Sequence, residues 1–258
     1  MGLGKREDCV MTRMSNIAAS FSGGKDSTAM VLKLIENNCP LDEIVFFDTG
    51  WEFPQMYDHI EQFEEYIGRK ITRLHPPESF DYIMRERPIV RRKKGDIMHG
   101  KIYKHGHGWP SNFRRWCTRE KVDVIDKYCL GADRYCGYAA DEAERCDNFS
   151  GKRSTYTMTF PLIEWNMTES DCLKICYERG FKFGGLYEHF SRVSCFCCPL
   201  KGLKDYRTMR THFPELWVKM LESEAIMTNE EGKRFHHGKS VADLDERFAN
   251  EDSQQILL

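Results

Sequence analysis

The sequence predicts an α/β fold, a parallel sheet flanked by helices, followed by a largely helical C-terminal part. Three observations predict it. Short apolar runs alternate with segments of helical period from residue 17 to residue 74, the pattern of βαβ units. The first run passes into the first helical segment through a tight glycine- and serine-containing join, Ser22 to Ser27. Beyond Pro161 the periodicity is mainly helical.

The elements follow in order. Ile17 to Phe21 reads as a short buried strand, and Thr28 to Glu36 carries helical apolar spacing. A second apolar run, Ile44 to Phe47, ends at Asp48-Thr49-Gly50. Pro54 then opens a helix to Ile67 that Gly68 closes. Ile71 to Leu74 is the third strand. From Arg87 to Asn112 the pattern lapses over a stretch too long for an ordinary connection, which marks a functional or mobile loop. Cys117 to Tyr128 is a helix and Arg134 to Ala139 a strand. Thr168 and Asp171 form the capping pair of a helix stopped by Gly180, in which Cys172 and Cys176 read as small core hydrophobes. Lys201 to Ile226 is the longest helical stretch, and Ser240 to Phe248 the last helix. The expected division is an α/β domain over 1–160 and a helical region over 161–258 that carries a cysteine cluster.

A chain of 258 residues, 41% hydrophobic and 30% charged, has room for one large domain or a domain with a helical extension. No stretch approaches the ~18 consecutive apolar residues of a membrane span, and Met1 to Val10 lacks a signal-peptide core. A cytoplasmic protein with no membrane partner is expected. There the eleven cysteines stay reduced, so metal binding or catalysis is the better question. Cys9, Cys39 and Cys129 read as core fillers. The net charge of −2 conceals an asymmetry: residues 85–121 hold twelve Lys or Arg against Glu86, Asp96 and Glu120. That basic segment suits a polyanion, either nucleotide phosphates or a nucleic acid. His105 and His107 within it are expected to be solvated loop residues.

Ser22-Gly23-Gly24-Lys25-Asp26-Ser27 meets the needs of a phosphate-binding loop. The glycines let backbone approach oxygens, the hydroxyls of Ser22 and Ser27 donate, Lys25 supplies a cation free of core contacts, and the following helix presents its positive end. Asp26 can cap that helix or help hold Mg²⁺. The spacing is not that of a Walker A loop.

The loop resembles the PP-loop of the ATP pyrophosphatase superfamily. Asp48-Thr49-Gly50-Trp51-Glu52-Phe53-Pro54, Arg115-Trp116-Cys117-Thr118 and Gly137-Tyr138-Ala139-Ala140-Asp141-Glu142 are similar to successive motifs of the phosphoadenosine phosphosulfate (PAPS) reductase family. So are Pro161-Leu162 leading to Trp165, and Leu186-Tyr187 running on to Cys195-Phe196-Cys197-Cys198-Pro199. The resemblance spans residues 17 to about 200 in the family's order. It implies an adenine nucleotide alpha-hydrolase-like sheet with the nucleotide on Ser22 to Ser27 and beside Asp48, Thr49 and Gly50. It also implies that Asp141, Glu142 and Arg145 line the acceptor side, although as residues alone they read equally as a capped helix start.

Iron–sulfur members of the family hold a 4Fe–4S cluster with an upstream cysteine pair and a downstream C-x-x-C. Here Thr118 replaces one of the pair, leaving Cys117, Cys195 and Cys198 as matching ligands. Either Cys197 or another cysteine completes the set, or one iron has no protein ligand. A structural zinc site is the rival reading. Members that reduce PAPS attack with a cysteine in a C-terminal tail, and this chain has none after Cys198. The Lys25-Asp26 pair looks more like loops that hold a whole ATP triphosphate. The expectation is adenylation, ATP going to AMP and pyrophosphate with Mg²⁺, followed by sulfur transfer to a nucleotide, tRNA or DNA from a donor protein or free sulfide. A sulfonucleotide reductase and a zinc-containing nucleotide-binding module are the alternatives.

Overall fold

The computed structural model describes residues 16–146 and 156–256. Cys9, the Met1 to Val10 stretch and Leu257-Leu258 lie outside them. A five-stranded parallel sheet is formed by β1 (Ile17–Phe21), β2 (Glu43–Phe47), β3 (Thr72–Leu74), β6 (Asp133–Cys136) and β7 (Met158–Thr159), in the order β3-β2-β1-β6-β7. Ala19 pairs with Ile44 on one side of β1 and with Tyr135 on the other. The strands therefore run outward from β1 in two directions. The crevice between β1 and β6, at their carboxyl ends, is the switch point where ligands of open parallel sheets bind.

Helices α1 (Lys25–Glu36) and α2 (Pro54–Ile67) connect the first three strands. The first starts three residues earlier than its apolar spacing suggests, because Lys25, Asp26 and Ser27 form its first turn. The second begins at Pro54, suited to a position that needs no N–H, and stops at left-handed Gly68. α3 (Phe80–Arg85) follows β3. The aperiodic segment is not a plain loop. It holds an antiparallel hairpin of β4 (Pro88–Val90) and β5 (Ile102–His105), joined by a turn whose many charges hide its pairing from periodicity. α4 (Trp116–Tyr128) leads into β6. That strand ends at Cys136 rather than Ala139, since Gly137 lies against the backbone of Asp26 and Ser27, where even a Cβ would sit 3.1 Å from the Ser27 Cα.

After α5 (Pro161–Glu164) comes α6 (Glu169–Glu178), opened by the expected capping box: the Asp171 N–H donates to Thr168 Oγ1 and the Thr168 N–H to Asp171 Oδ2. Cys172 and Cys176 are fully buried in it, as expected, and it packs on α1. α7 (Leu186–His189), α8 (Leu203–His212), α9 (Pro214–Ala225) and α10 (Val241–Ile256) complete the chain. The single stretch expected over Lys201 to Ile226 is broken at Phe213, because the residue before Pro214 is pushed out of the helical region. Cys129 is buried and Cys39 half-buried. The larger of two apolar clusters, from Phe21 through Phe53 and Phe190 to Trp217 and Phe248, is shared by the sheet and the C-terminal helices, and a small one gathers Ala18, Val45 and Cys129. Among the described residues no helix is long and apolar enough to cross a membrane.

Candidate functional site

At the β1/β6 crevice lies a cavity of about 340 Å³, within the usual size range of small-molecule sites. Ser22, Gly24, Lys25, Asp26 and Ser27 line one side of it. The loop is held by its own hydroxyls: the Ser22 N–H donates to Ser27 Oγ (3.1 Å), and Ser27 Oγ–H to the Gly24 carbonyl (3.1 Å). Gly23 has φ +78°, a left-handed conformation that favours glycine, and a Cβ there would stand 2.6 Å from Met56 Sδ, so that side chain would have to shift. The start of α1 has no side-chain cap at Gly24, which leaves its positive end for an anion. Tyr187, from α7, accepts the Lys25 N–H at 2.7 Å.

Lys25 differs from expectation. Its side chain is 4% exposed, with Nζ 2.6 Å from Glu169 Oε2 and 3.3 Å from Asp26 Oδ2. It is therefore a buried, paired cation, because α6 crosses α1 at its first turn. Burial works against its charge, but Glu169 and Asp26 outweigh that and hold its pKa above the usual lysine value. Burial pushes Asp26 up to about 6 against the pull of Lys25. Asp26 Oδ1 is buried with no hydrogen-bond partner, an oxygen open to a cation.

Asp141 does not line the cavity; its carboxylate accepts the Glu169 N–H at 3.1 Å and so steadies the residue that holds Lys25. Glu142 and Arg145 do line it, paired with each other, and Arg145 lies 4.6 Å from the Tyr138 ring. Asp48, Thr49 and Gly50 stand behind the lining rather than in it. Asp48 Oδ1 accepts from the Gly50 N–H and the Tyr57 hydroxyl, a rigid turn at the end of β2. Thr49 donates to Glu52 Oε1 at 2.9 Å.

Glu52 faces the cavity beside Cys195, whose thiol donates to Glu52 Oε1 at 3.4 Å. Burial raises both groups' pKa, so Glu52 takes up a proton, and Cys195 keeps one, more readily than either would in water. The Phe196 N–H donates to the Trp51 carbonyl at 2.9 Å, which binds the C-x-x-C segment to the loop after β2. The Cys198 N–H donates to the Cys195 carbonyl, closing a tight turn. Cys117, Cys195, Cys197 and Cys198 are near enough for their charges to interact. Among the described residues no three His, Cys, Asp or Glu are grouped closely enough to hold a metal ion. Cys195 is turned to Glu52, and Cys197 is 1% exposed in the core. In chemistry the donor set suits a thiolate-held group: Lys201 Nζ is buried with no hydrogen-bond partner, 4.6 Å from the Phe190 ring, and burial lowers its pKa, so negative charge on the neighbouring thiols is what would favour its ammonium form.

His107 departs from expectation by stacking on Trp116, its pKa lowered by burial, while His105 is exposed. Glu52, Glu169, Tyr187 and Lys121 were not singled out from the sequence as site residues. Glu52 and Tyr187 stand within motifs that carry the resemblance, and that signal could have found them. Glu169 had none beyond its place in a helix's first turn.

Fold and site together define an α/β protein with a parallel sheet whose Ser22 to Ser27 loop lies at the sheet's switch point. The chain belongs to the phosphoadenosine phosphosulfate reductase domain family, which it matches over residues 16–201. Two uncharacterized proteins of Methanocaldococcus jannaschii are similar to it: one is 26% identical over 222 residues, covering 80% of this chain and 47% of that protein. The other is 24% identical over 220 residues, covering 79% and 40%. The chain thus spans less than half the length of these curated relatives. Among solved structures, the U34-tRNA thiolase NcsA from Methanococcus maripaludis with its 4Fe–4S cluster aligns with a TM-score of 0.43 and 15% identity over 92% of this chain and 72% of that one.

Proposed function

We propose that the protein is an ATP-dependent adenylating enzyme, cleaving ATP to AMP and pyrophosphate, that transfers sulfur to a nucleic acid or nucleotide. The observation that supports this best is one cavity lined both by the Ser22 to Ser27 loop and by Cys195 beside Glu52. On this reading residues 1–160 bind the nucleotide and supply Cys117, and 161–258 bring Cys195, Cys197 and Cys198 to it. An acceptor oxygen attacks the α-phosphorus, the bond to the bridging oxygen breaks, and pyrophosphate departs. Lys25 balances the charge that develops, and Asp26, whose Oδ1 is buried without a hydrogen-bond partner, would hold a Mg²⁺ supplying further positive charge there. Sulfide, free or from a donor protein, then bonds to the activated atom, and AMP leaves with the oxygen.

Cys117, Cys195 and Cys198, with Cys197 or an open iron as the fourth position, would hold a 4Fe–4S cluster. When bound, it would supply an iron able to carry sulfide. Glu52 is placed to take the Cys195 proton as that thiol becomes a ligand.

The test is to incubate anaerobically purified protein with ATP, sulfide and tRNA or DNA, assaying AMP, pyrophosphate and thiolated nucleosides. Absence of pyrophosphate with every acceptor would sink the reading. Family membership favours a second reading, sulfonucleotide reduction, which predicts instead sulfite from PAPS or adenylylsulfate with a thiol reductant.

A further inference from the structure

We infer that the β4–β5 hairpin is a docking arm for nucleic acid, taking unstacked bases and the phosphates between them as an RNA loop or single strand presents them. The inference rests on the acceptor reading above and deepens it by locating where the acceptor is held.

None of residues 88–105 is buried, although they form regular hydrogen-bonded structure. A two-stranded hairpin is marginal in water unless something packs on it. This one exposes Val90, Ile102 and Tyr103 and leaves Ile97 91% exposed. Its six Lys and Arg face a single acid, Asp96, which Arg91 already engages at 2.8 Å. Arg92, Lys93, Lys94 and Lys101 are exposed and have no ion pair among the described residues. The Tyr103 ring has Arg91 at 5.3 Å and Lys104 at 5.5 Å. Basic residues interleaved with an aromatic ring and a guanidinium plane are the chemistry that holds unstacked bases on a phosphate backbone.

The arm is firmly mounted. The Gly106 N–H donates to the Arg87 carbonyl, the His107 N–H to Ile83 and the Gly108 N–H to Met84. Gly106 has φ +70°, and a Cβ there would sit 2.4 Å from the Met84 carbonyl oxygen, so its backbone is wedged against α3. Arg87 is tied to Glu78 (2.6 Å) and Glu120 (2.5 Å). From this root the chain runs to Trp116, whose indole donates to the Gly108 carbonyl at 3.1 Å. There α4 begins, the helix that brings Cys117 towards the other thiols and Lys121 to the cavity wall. A strand lying on the arm is thereby joined, through one rigid connection, to the site where its base would react.

The experiment measures fluorescence anisotropy of the full chain without ATP. Three fluorescein-labelled probes are used: a 17-nucleotide RNA stem–loop, single-stranded DNA of the same sequence and the corresponding DNA duplex. The loop and single strand should bind more tightly than the duplex. The variant R92E/K93E/K94E/K101E should lose about 100-fold in affinity, with the slope of log affinity against log salt reduced by about three units. Tyr103→Ala should lose about tenfold for the unstacked probes and little for the duplex. Wild-type binding by the charge variant, with its circular dichroism unchanged, overturns the arm. So does equal binding of duplex and loop, or a charge variant that alters oligomeric mass but not probe affinity, which makes the hairpin a contact between copies. Because ATP is absent, these results are independent of pyrophosphate release: a protein that binds the loop but never adenylates refutes the proposed reaction and leaves the arm standing.

Discussion

Glu169 holds the ammonium of Lys25 across 144 residues of sequence, with Oε2 and Nζ 2.6 Å apart. The pair is asymmetric, Lys25 being buried and Glu169 about one-third exposed, so a bound triphosphate can compete for the cation while Glu169 turns to water. Lys25→Ala should cost on the order of 10²-fold or more in pyrophosphate release, as loss of one preorganised charge contact does. Glu169→Gln keeps a hydrogen bond and should cost less. Thermal melts should change little for Lys25→Ala, because the Glu169 carboxylate left behind reaches solvent, whereas Glu169→Gln leaves the buried Lys25 ammonium with Asp26 as its remaining carboxylate and should melt lower. Turnover by Lys25→Ala at the wild-type rate would show that the loop is misassigned.

Asp26 sets an expected acid limb. Its carboxyl titrates at about 6 because burial disfavours its charge, and only the ionised form can hold Mg²⁺ at the phosphates. The kcat/KM for ATP should therefore fall about tenfold per pH unit below about pH 6. Asp26→Asn should be slow at every pH and lack that limb. A wild-type profile flat down to pH 5 would remove Asp26 from the proposed metal site.

His59 carries a stability prediction. It is buried among Phe63, Phe181 and Phe183, and accepts from or donates to Thr28 Oγ1 at 3.0 Å. Burial lowers its pKa from 6.5 to about 4. The unfolded chain then binds a proton that the folded one refuses between those values, so this contribution to stability is lost as pH falls from 6.5 towards 4. The full window corresponds to about 3 kcal/mol at roughly 1.4 kcal/mol per unit. Asp26, with its raised pKa, acts in the opposite sense over about pH 6 to 4. The comparison that isolates His59 is urea unfolding of wild type against His59→Asn at pH 7.5 and 4.5. The stability gap between the two should shrink at the lower pH, and a constant gap would contradict the assignment.

The cysteines separate cluster from zinc. Anaerobic protein should be brown, with roughly four irons per chain. Cys117→Ser, Cys195→Ser and Cys198→Ser should each lose the colour. Cys197→Ser should keep it, since that thiol fills a core position. Colourless protein with stoichiometric zinc from iron-supplemented cells would refute the cluster. Loss of colour in Cys197→Ser would indicate a closed four-cysteine site.

Much of the fold was legible in local pattern. The apolar run before Ser22, the capping pair Thr168 and Asp171, and the Pro54 and Gly68 ends of α2 each act within a few residues, and each stands where the sequence predicts. The hairpin was missed because its pairing joins Pro88 to His105, and exposed strands show no apolar alternation. The break at Phe213 was visible in Pro214 but overridden by the helical period on both sides.

By itself the sequence determined that residues 22–27 form a tight loop between strand and helix, and that Cys195, Cys197 and Cys198 lie together, because adjacent residues must share a location. Tertiary structure alone decided what surrounds them. The crossing of α6 on α1 buries Lys25 against Glu169, and the Phe196 to Trp51 hydrogen bond sets Cys195 beside Glu52. Those contacts span more than 140 residues, and they arise from how buried faces pack, which no local window of sequence contains.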